Sequence, residues 1–241
     1  MVGMVENYLC IDVGTNSIRV LEKDSSGKVT RWGISETETP IHSAIEPLEP
    51  GRAALLLLEA LDKMNTVSRD AIFAVPAFYS FTVIANEVDP GLIPAHPKTY
   101  FLWAYPARDG RYFLSATPRD VIDRYKILAK LAGLNFLGWE PESFSLARQF
   151  QKIKERTLIV DPDSRSTTFT LIDRGEVQYV FRTDFGGVSN LGTCPTHSLK
   201  GYVWDVIMNI AKEIAENKKV DQVLISNSVF NVPNGLQKIS S

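Results

Sequence analysis

The sequence predicts an α/β protein with two related lobes and a small inserted α+β subdomain. The main observation is a pattern that occurs twice, in YLCIDVGTNSIRVLEKDSSGKVTRWG (residues 8–33) and in TLIVDPDSRSTTFTLIDRGEVQYVFR (residues 157–182). Each copy is an apolar run that ends in an aspartate, a corner of small hydroxylic residues, and a β-hairpin. Amphipathic helical segments follow both copies, and a chain of 241 residues is long enough for two lobes.

The first lobe is predicted to contain four strands and one helix before the chain enters the insertion. The predicted strands are 8–13, 17–23, 29–36 and 71–75. The Ala- and Leu-rich segment 52–64 predicts the helix. Gly27 marks the tight hairpin turn between the second and third strands, because glycine adopts positive φ readily.

The middle of the chain is predicted to be an aromatic, strand-rich insertion that ends in a helix. Its predicted strands are 79–88, 99–105 and 111–117, with a proline-rich loop at 89–98. Thr117 is the expected N-cap of the following helix, with Pro118 at its first position and Asp120 as the capping-box acid. Gly133 fits the C′ position that ends this helix.

The second copy of the pattern opens the second lobe, which is predicted to continue with a helix and a strand. The predicted elements around it are a strand at 135–139, helices at 142–154 and 202–216, and a last strand at 221–226. We therefore expect a first lobe made of residues 1–78 and 134–155, an inserted subdomain at 79–133, and a second lobe at 156–241.

Composition and termini exclude several functional classes. The net charge of −2 gives no reason to expect nucleic acid as a partner. Two cysteines and three scattered histidines predict neither a disulfide framework nor a zinc site, and Cys10 is expected to be a buried thiol. The N-terminus resembles no signal peptide, and no apolar run reaches the roughly 18 residues of a membrane span. We expect a cytoplasmic protein without direct membrane insertion.

The corner after the first strand carries the chemistry that most suggests a ligand. Gly14 would let the backbone approach a phosphate closely, and Thr15, Asn16 and Ser17 offer hydroxyl and amide donors. Asp12 could hold Mg²⁺ through water, as one or two carboxylates often do beside phosphates. The alternative is structural, because an aspartate at a strand end also caps its own turn.

The segment IDVGTNSIRVLE, residues 11–22, resembles the first phosphate motif of the PilM and FtsA branch of the actin-like ATPases. Segments 115–148, 158–187 and 220–228 extend the resemblance over nearly the whole chain. The resemblance implies an actin-like (ribonuclease H-like) two-lobed fold and a site for ATP with Mg²⁺ at Asp12. The nucleotide-binding residues implied in this way are Asp12, Gly14, Thr15, Asn16, Ser17, Asp161, Ser164, Ser166, Thr167 and Ser226.

Three departures from the family pattern predict that ATP binding and ATPase activity are weak or lost. Asp163 stands where the second phosphate motif has glycine, so a carboxylate would repel the polyphosphate, and Pro162 removes a backbone donor. Ser226–Val229 replaces the glycine-rich adenosine loop. The second lobe is also short, with about fifteen residues between Gly187 and Tyr202. These features predict a pseudo-ATPase.

A partner is also implied by the resemblance, because PilM-like proteins bind the cytoplasmic N-terminal tail of PilN, an inner-membrane pilus protein. The expected groove lies beside the inserted subdomain, and its candidate residues are Phe78, Tyr79, Phe81 and Tyr100. In the strand 99–105, Phe101 and Trp103 are expected to pack inward while Tyr100 faces the groove. A groove of this kind needs apolar walls and survives the loss of ATP chemistry.

Three functions are compatible with these motifs. The first is a PilM-like scaffold of type IV pilus assembly, held at the inner membrane through its partner. The second is an active actin-like ATPase of the same branch, or an FtsA-like division protein. The third, a small-molecule kinase, is disfavoured because no catalytic base or acceptor pocket is recognisable in the short second lobe. All three place Asp12 and Asp161 on opposite sides of one cleft.

Overall fold

The computed structural model describes residues 7–42, 47–107, 109–150, 154–162, 166–183, 197–226 and 236–239. The chain divides into two compact units, one of residues 1–81, 90–103 and 115–142, and one of residues 82–89, 104–114 and 143–241. The described strands are β1 (Asn7–Val13), β2 (Ser17–Asp24), β3 (Val29–Glu36), β4 (Asp70–Val75), β5 (Phe81–Ala85), β6 (Tyr100–Pro106), β7 (Tyr112–Pro118), β8 (Asn135–Pro141), β9 (Thr157–Pro162), β10 (Thr167–Asp173), β11 (Glu176–Thr183), β12 (Gln222–Ser226) and β13 (Leu236–Ile239). The helices are α1 (Pro50–Met64), α2 (Arg119–Leu131), α3 (Glu142–Gln149) and α4 (His197–Lys218).

The first sheet has the strand order β3-β2-β1-β4-β8. β1, β2 and β3 form an antiparallel meander, whereas β4 is parallel to β1 and β8 is parallel to β4. The turns that connect the meander follow the sequence prediction, and Gly27 has a φ of +83°. All four strands predicted for this lobe are confirmed, each to within one residue at either end.

Helices α1 and α2 cover one face of this sheet and close its hydrophobic core. The core contains alternate residues of β1, β2 and β4, such as Ile11, Val20 and Phe73, with the apolar stripes of both helices. Close packing of α1 against β3 requires Gly33, because a Cβ there would lie 2.8 Å from the carbonyl oxygen of Ala60. The other face of the sheet is only half-buried along β1 and β2, so Cys10 is half-buried and not the buried thiol that we expected.

The second sheet repeats this strand order with β11-β10-β9-β12-β13. β9, β10 and β11 form the antiparallel meander, and β12 is parallel to β9, as β4 is to β1. The last strand differs, because β13 runs antiparallel to β12. We predicted no strand after residue 226, so β13 was missed.

A three-stranded sheet with the order β5-β7-β6 forms from the predicted insertion. The aromatic segment 79–88 is not one continuous strand, because a 3₁₀ turn at Ala77–Tyr79 precedes the shorter β5. Thr117 does not cap α2. Its hydroxyl lies 2.6 Å from the hydroxyl of Ser80, and Pro118 is the N-cap residue. The predicted C′ residue Gly133 does have a positive φ, of +68°.

Helix α2 belongs to the core of the first sheet, where Ile122, Tyr125 and Leu128 are buried with β1 and β4. The boundaries that we predicted for the three domains stay a prediction.

Candidate functional site

The first candidate turn, residues 13–17, lies where β1 ends, at the carboxyl edge that it shares with the parallel strand β4. Ligands of open α/β sheets bind at this edge. The turn is tight, with the Gly14 amide donating to the Ser17 carbonyl over 2.9 Å. That amide is therefore not available to a phosphate.

Asp12 forms an ion pair with a side chain of the neighbouring strand, Arg19. β1 and β2 pair so that Asp12 is directly opposite Arg19, and the Arg19 Nη1 lies 2.9 Å from the Asp12 Oδ2. Both side chains are a little over one-third exposed. The negative charge that would attract Mg²⁺ is thus partly neutralised within the chain.

The side chains of the turn face inward or toward a neighbouring loop. Thr15 is buried, with only 1% of its surface exposed, and Ser17 is buried as well. The Asn16 side-chain amide donates to the carbonyl of Thr37 at 2.9 Å and to that of Glu38 at 3.2 Å. The side chains that we predicted to donate hydrogen bonds to phosphate are thus buried or bonded to the protein's own backbone.

His42 connects this turn to two aromatic residues that follow β4. The His42 Nε2 is 2.8 Å from the carbonyl oxygen of Val13, and its ring packs against Phe78 and Tyr79 with centroid distances of 5.2 and 5.6 Å. Burial raises the pKa of the Tyr79 hydroxyl to about 12. Phe78 and Tyr79 therefore pack against the loop beside the turn, and less of their surface is available to a partner.

The second candidate turn is described only at its ends. Asp161 is half-buried in β9 and stands opposite Thr168 of β10, and Ser166 and Thr167 are buried. Ser226 is the last residue of β12. Asp163 and Ser164, the adenosine-loop residues 227–235 and the segment 184–196 lie outside the described residues, so our predictions for them stay predictions.

One assignment in the aromatic insertion needs correction. Tyr100, expected to face a groove, is only 5% exposed and donates its hydroxyl to the carbonyl of Pro90, because the loop before β6 reaches Tyr100. Phe101, expected to be core, is half-buried and packs against the core of the first sheet, with the Arg119 guanidinium 4.1 Å from its ring centroid. Trp103 is half-buried as well. Of the four candidates, Phe81 is the exposed one, at 43%.

A buried carboxylate that the sequence reading missed lies at the far end of β2. Glu22 is fully buried and accepts hydrogen bonds from Ser68 at 2.5 Å, Thr66 at 2.9 Å and Arg31 at 2.6 Å. Desolvation raises the pKa of Glu22, but these hydrogen bonds together outweigh it and hold the pKa below its ordinary value. The cluster joins β2 to β3 and to the loop before β4, which is a structural role.

The fold is similar to those of several solved structures. One is a PilM-PilN type IV pilus biogenesis complex (TM-score 0.66, 14% identity, 90% of this chain and 76% of that chain). The ethanolamine utilization protein EutJ from Carboxydothermus hydrogenoformans is also similar (TM-score 0.54, 13% identity, 92% of this chain and 77% of that chain). So is an exopolyphosphatase from Cytophaga hutchinsonii (TM-score 0.51, 12% identity, 91% of this chain and 66% of that chain). The chain has the actin-like fold. No family model and no curated protein matches the sequence.

An actin-like fold is compatible with ATP and Mg²⁺. In the first turn, the Arg19 guanidinium lies beside the Asp12 Oδ2, where a bound cation would lie. Within the described ranges, no group of three or more His, Cys, Asp or Glu could hold a metal. The helices in those ranges also include none that is long and apolar enough to cross a bilayer.

Proposed function

We propose that this chain is an actin-like scaffold of type IV pilus assembly, and that it binds the cytoplasmic tail of an inner-membrane, PilN-like protein without needing ATP. The observation that carries the proposal is the ion pair between Arg19 and Asp12, together with the engaged donors of the first turn. The fold of a PilM-PilN complex supports the choice of partner. We infer a cytoplasmic protein that reaches the inner membrane through this partner.

The best site for the tail is the surface around Phe81, the first residue of β5, which is 43% exposed. Phe101 lies on β6 with the cationic groups of Arg119 and Lys126 over its ring at 4.1 and 5.5 Å. Aromatic anchors of this kind dominate the binding energy of peptide sites, so a few side chains are expected to carry the affinity.

A binding titration with a synthetic tail peptide of the PilN-like protein tests this proposal. We expect the dissociation constant to be the same with and without Mg-ATP. Phe81→Ala should weaken binding about tenfold, which corresponds to roughly 1.4 kcal/mol. Leu55→Ala, a matched control on the exposed side of α1, should leave it unchanged. Absence of tail binding, or binding that requires ATP, would reject the scaffold in favour of the active ATPase.

A further inference from the structure

A short segment of the chain lies along the first turn and takes up its hydrogen-bonding groups. We name residues 37–42 the strap. The Thr37 amide donates to the Asn16 carbonyl and the Ile41 amide to the Thr15 carbonyl, each over 2.9 Å. Three more hydrogen bonds follow: two from the Asn16 side chain to the strap, and one between the His42 ring and the Val13 carbonyl. We call this set of hydrogen bonds the seam. Five hydrogen bonds therefore join the strap to residues 13–16.

The strap is firmly held on its other side. Ile41 and His42 are buried, and Ile41 belongs to the core of the first sheet. The Glu49 amide donates to the Ile41 carbonyl, and Arg52 of α1 donates to the carbonyl of Thr39. The strap thus connects the first turn to the start of α1, where Glu49 is the N-cap residue.

The hydrogen bonds between the strap and the turn engage a side-chain donor that a phosphate would need, the amide of Asn16. A phosphate accepts hydrogen bonds from donors, and the Asn16 amide is the donor that projects furthest from this turn by side-chain length. Here it is committed to two backbone carbonyl oxygens, and a phosphate could take the amide only after these hydrogen bonds break. Breaking such hydrogen bonds costs free energy, which the binding free energy of a ligand would have to offset.

We propose that the strap is a built-in latch, which keeps the first turn ordered without nucleotide and withholds Asn16 from phosphate. This inference rests on the proposed ATP-independent function and names the device that makes the turn independent of ATP. The latch also predicts a coupling: the turn and the strap should open together, since five hydrogen bonds join them.

Amide hydrogen exchange on the full chain tests the latch. Asn16→Ala removes two bonds of the seam, and we expect exchange in residues 13–17 and in the strap to accelerate together by about tenfold. Glu38→Ala is the matched control, because it changes an exposed strap side chain but keeps the carbonyl that accepts from Asn16. Exchange in β9 and β10 should stay the same in both variants, and Mg-ATP should not slow exchange in the wild-type turn.

Three results would overturn the latch: no acceleration in Asn16→Ala, acceleration in the turn without the strap, or protection of the wild-type turn by Mg-ATP. If Asn16→Ala unfolds the chain, wild-type exchange at low urea concentrations gives the test instead, because the amides of the turn and of the strap should then open with one common free energy. The tail titration is a separate measurement, so a tail that fails to bind rejects the scaffold while leaving the coupled exchange intact.

Discussion

The two five-stranded sheets share a strand order but differ in how their faces are covered. Along β1 and β2, buried residues alternate with half-buried ones, so one face of the first sheet stays partly accessible. Along β9 and β10, residues pointing to both faces are buried, including the neighbours Leu158, Ile159 and Val160. A strand buried on both faces reads as a continuous apolar run, whereas a half-covered strand alternates.

The comparison can be made residue by residue, because the two turns join strands in the same register. Asp12 pairs with Arg19 and Asp161 pairs with Thr168, seven residues apart in each case. Cys10, Leu21 and Glu22 therefore correspond to Ile159, Thr170 and Leu171. The two hairpins thus share a backbone register but differ in side chains: arginine is opposite the aspartate in the first sheet, and threonine is opposite it in the second.

The largest effects are expected at Glu22 and Leu171, two fully buried residues at corresponding positions. Glu22→Ala should lower the free energy of unfolding by about 2–5 kcal/mol, because the buried hydroxyls of Thr66 and Ser68 lose their acceptor. Leu171→Ala should cost about 2–5 kcal/mol through cavity formation. Urea unfolding measures both, and a cost below 1 kcal/mol for Glu22→Ala would contradict the buried cluster.

The same residue predicts how stability depends on pH. Since the pKa of Glu22 is lower folded than unfolded, its contribution is present above the unfolded value of about 4.3 and is lost as pH falls through the folded pKa. Glu22→Gln should therefore show a smaller loss of stability between neutral and acid pH than wild type. Thermal unfolding at a series of pH values checks this, and parallel curves would contradict it.

The contrast between the faces predicts unequal effects at Ile159 and Cys10. Ile159→Ala should cost about 2–5 kcal/mol because the site is fully buried, whereas Cys10→Ala removes one half-exposed sulfur and should cost less than about 1 kcal/mol. Chemical unfolding of both variants makes the comparison. Equal costs would mean that the open face of the first sheet is covered after all.

A smaller effect of opposite sign is expected at Thr170, where burial has a cost. Its hydroxyl is buried and lacks a hydrogen-bond partner among the described residues. Thr170→Val keeps the shape and removes the unpaired group, so it should raise the free energy of unfolding by about 1 kcal/mol. A destabilised valine variant would show that the hydroxyl has a partner.

Sequence patterns predicted most of the strands and both hairpins, because alternation, glycine turns and buried runs are local signals. The pattern could not reveal the Glu22 cluster, since its partners Thr66 and Ser68 are 44 and 46 residues away. Strand alternation located Tyr100 and Phe101 on opposite faces, yet it could not say which face a loop would cover. In the candidate site, sequence patterns located the first turn between β1 and β2, but the engagement of Asp12 by Arg19 and of Asn16 by the strap depends on tertiary pairing.

The central claim, that the first turn is closed by the chain itself, is tested most directly by calorimetric titration of Mg-ATP into the full chain. We predict no binding in the micromolar range. Arg19→Ala should keep the fold, with a loss of stability below about 1 kcal/mol, because partly exposed ion pairs contribute little. Micromolar affinity in the wild type that disappears in Asp12→Ala would contradict the claim and restore an active nucleotide site.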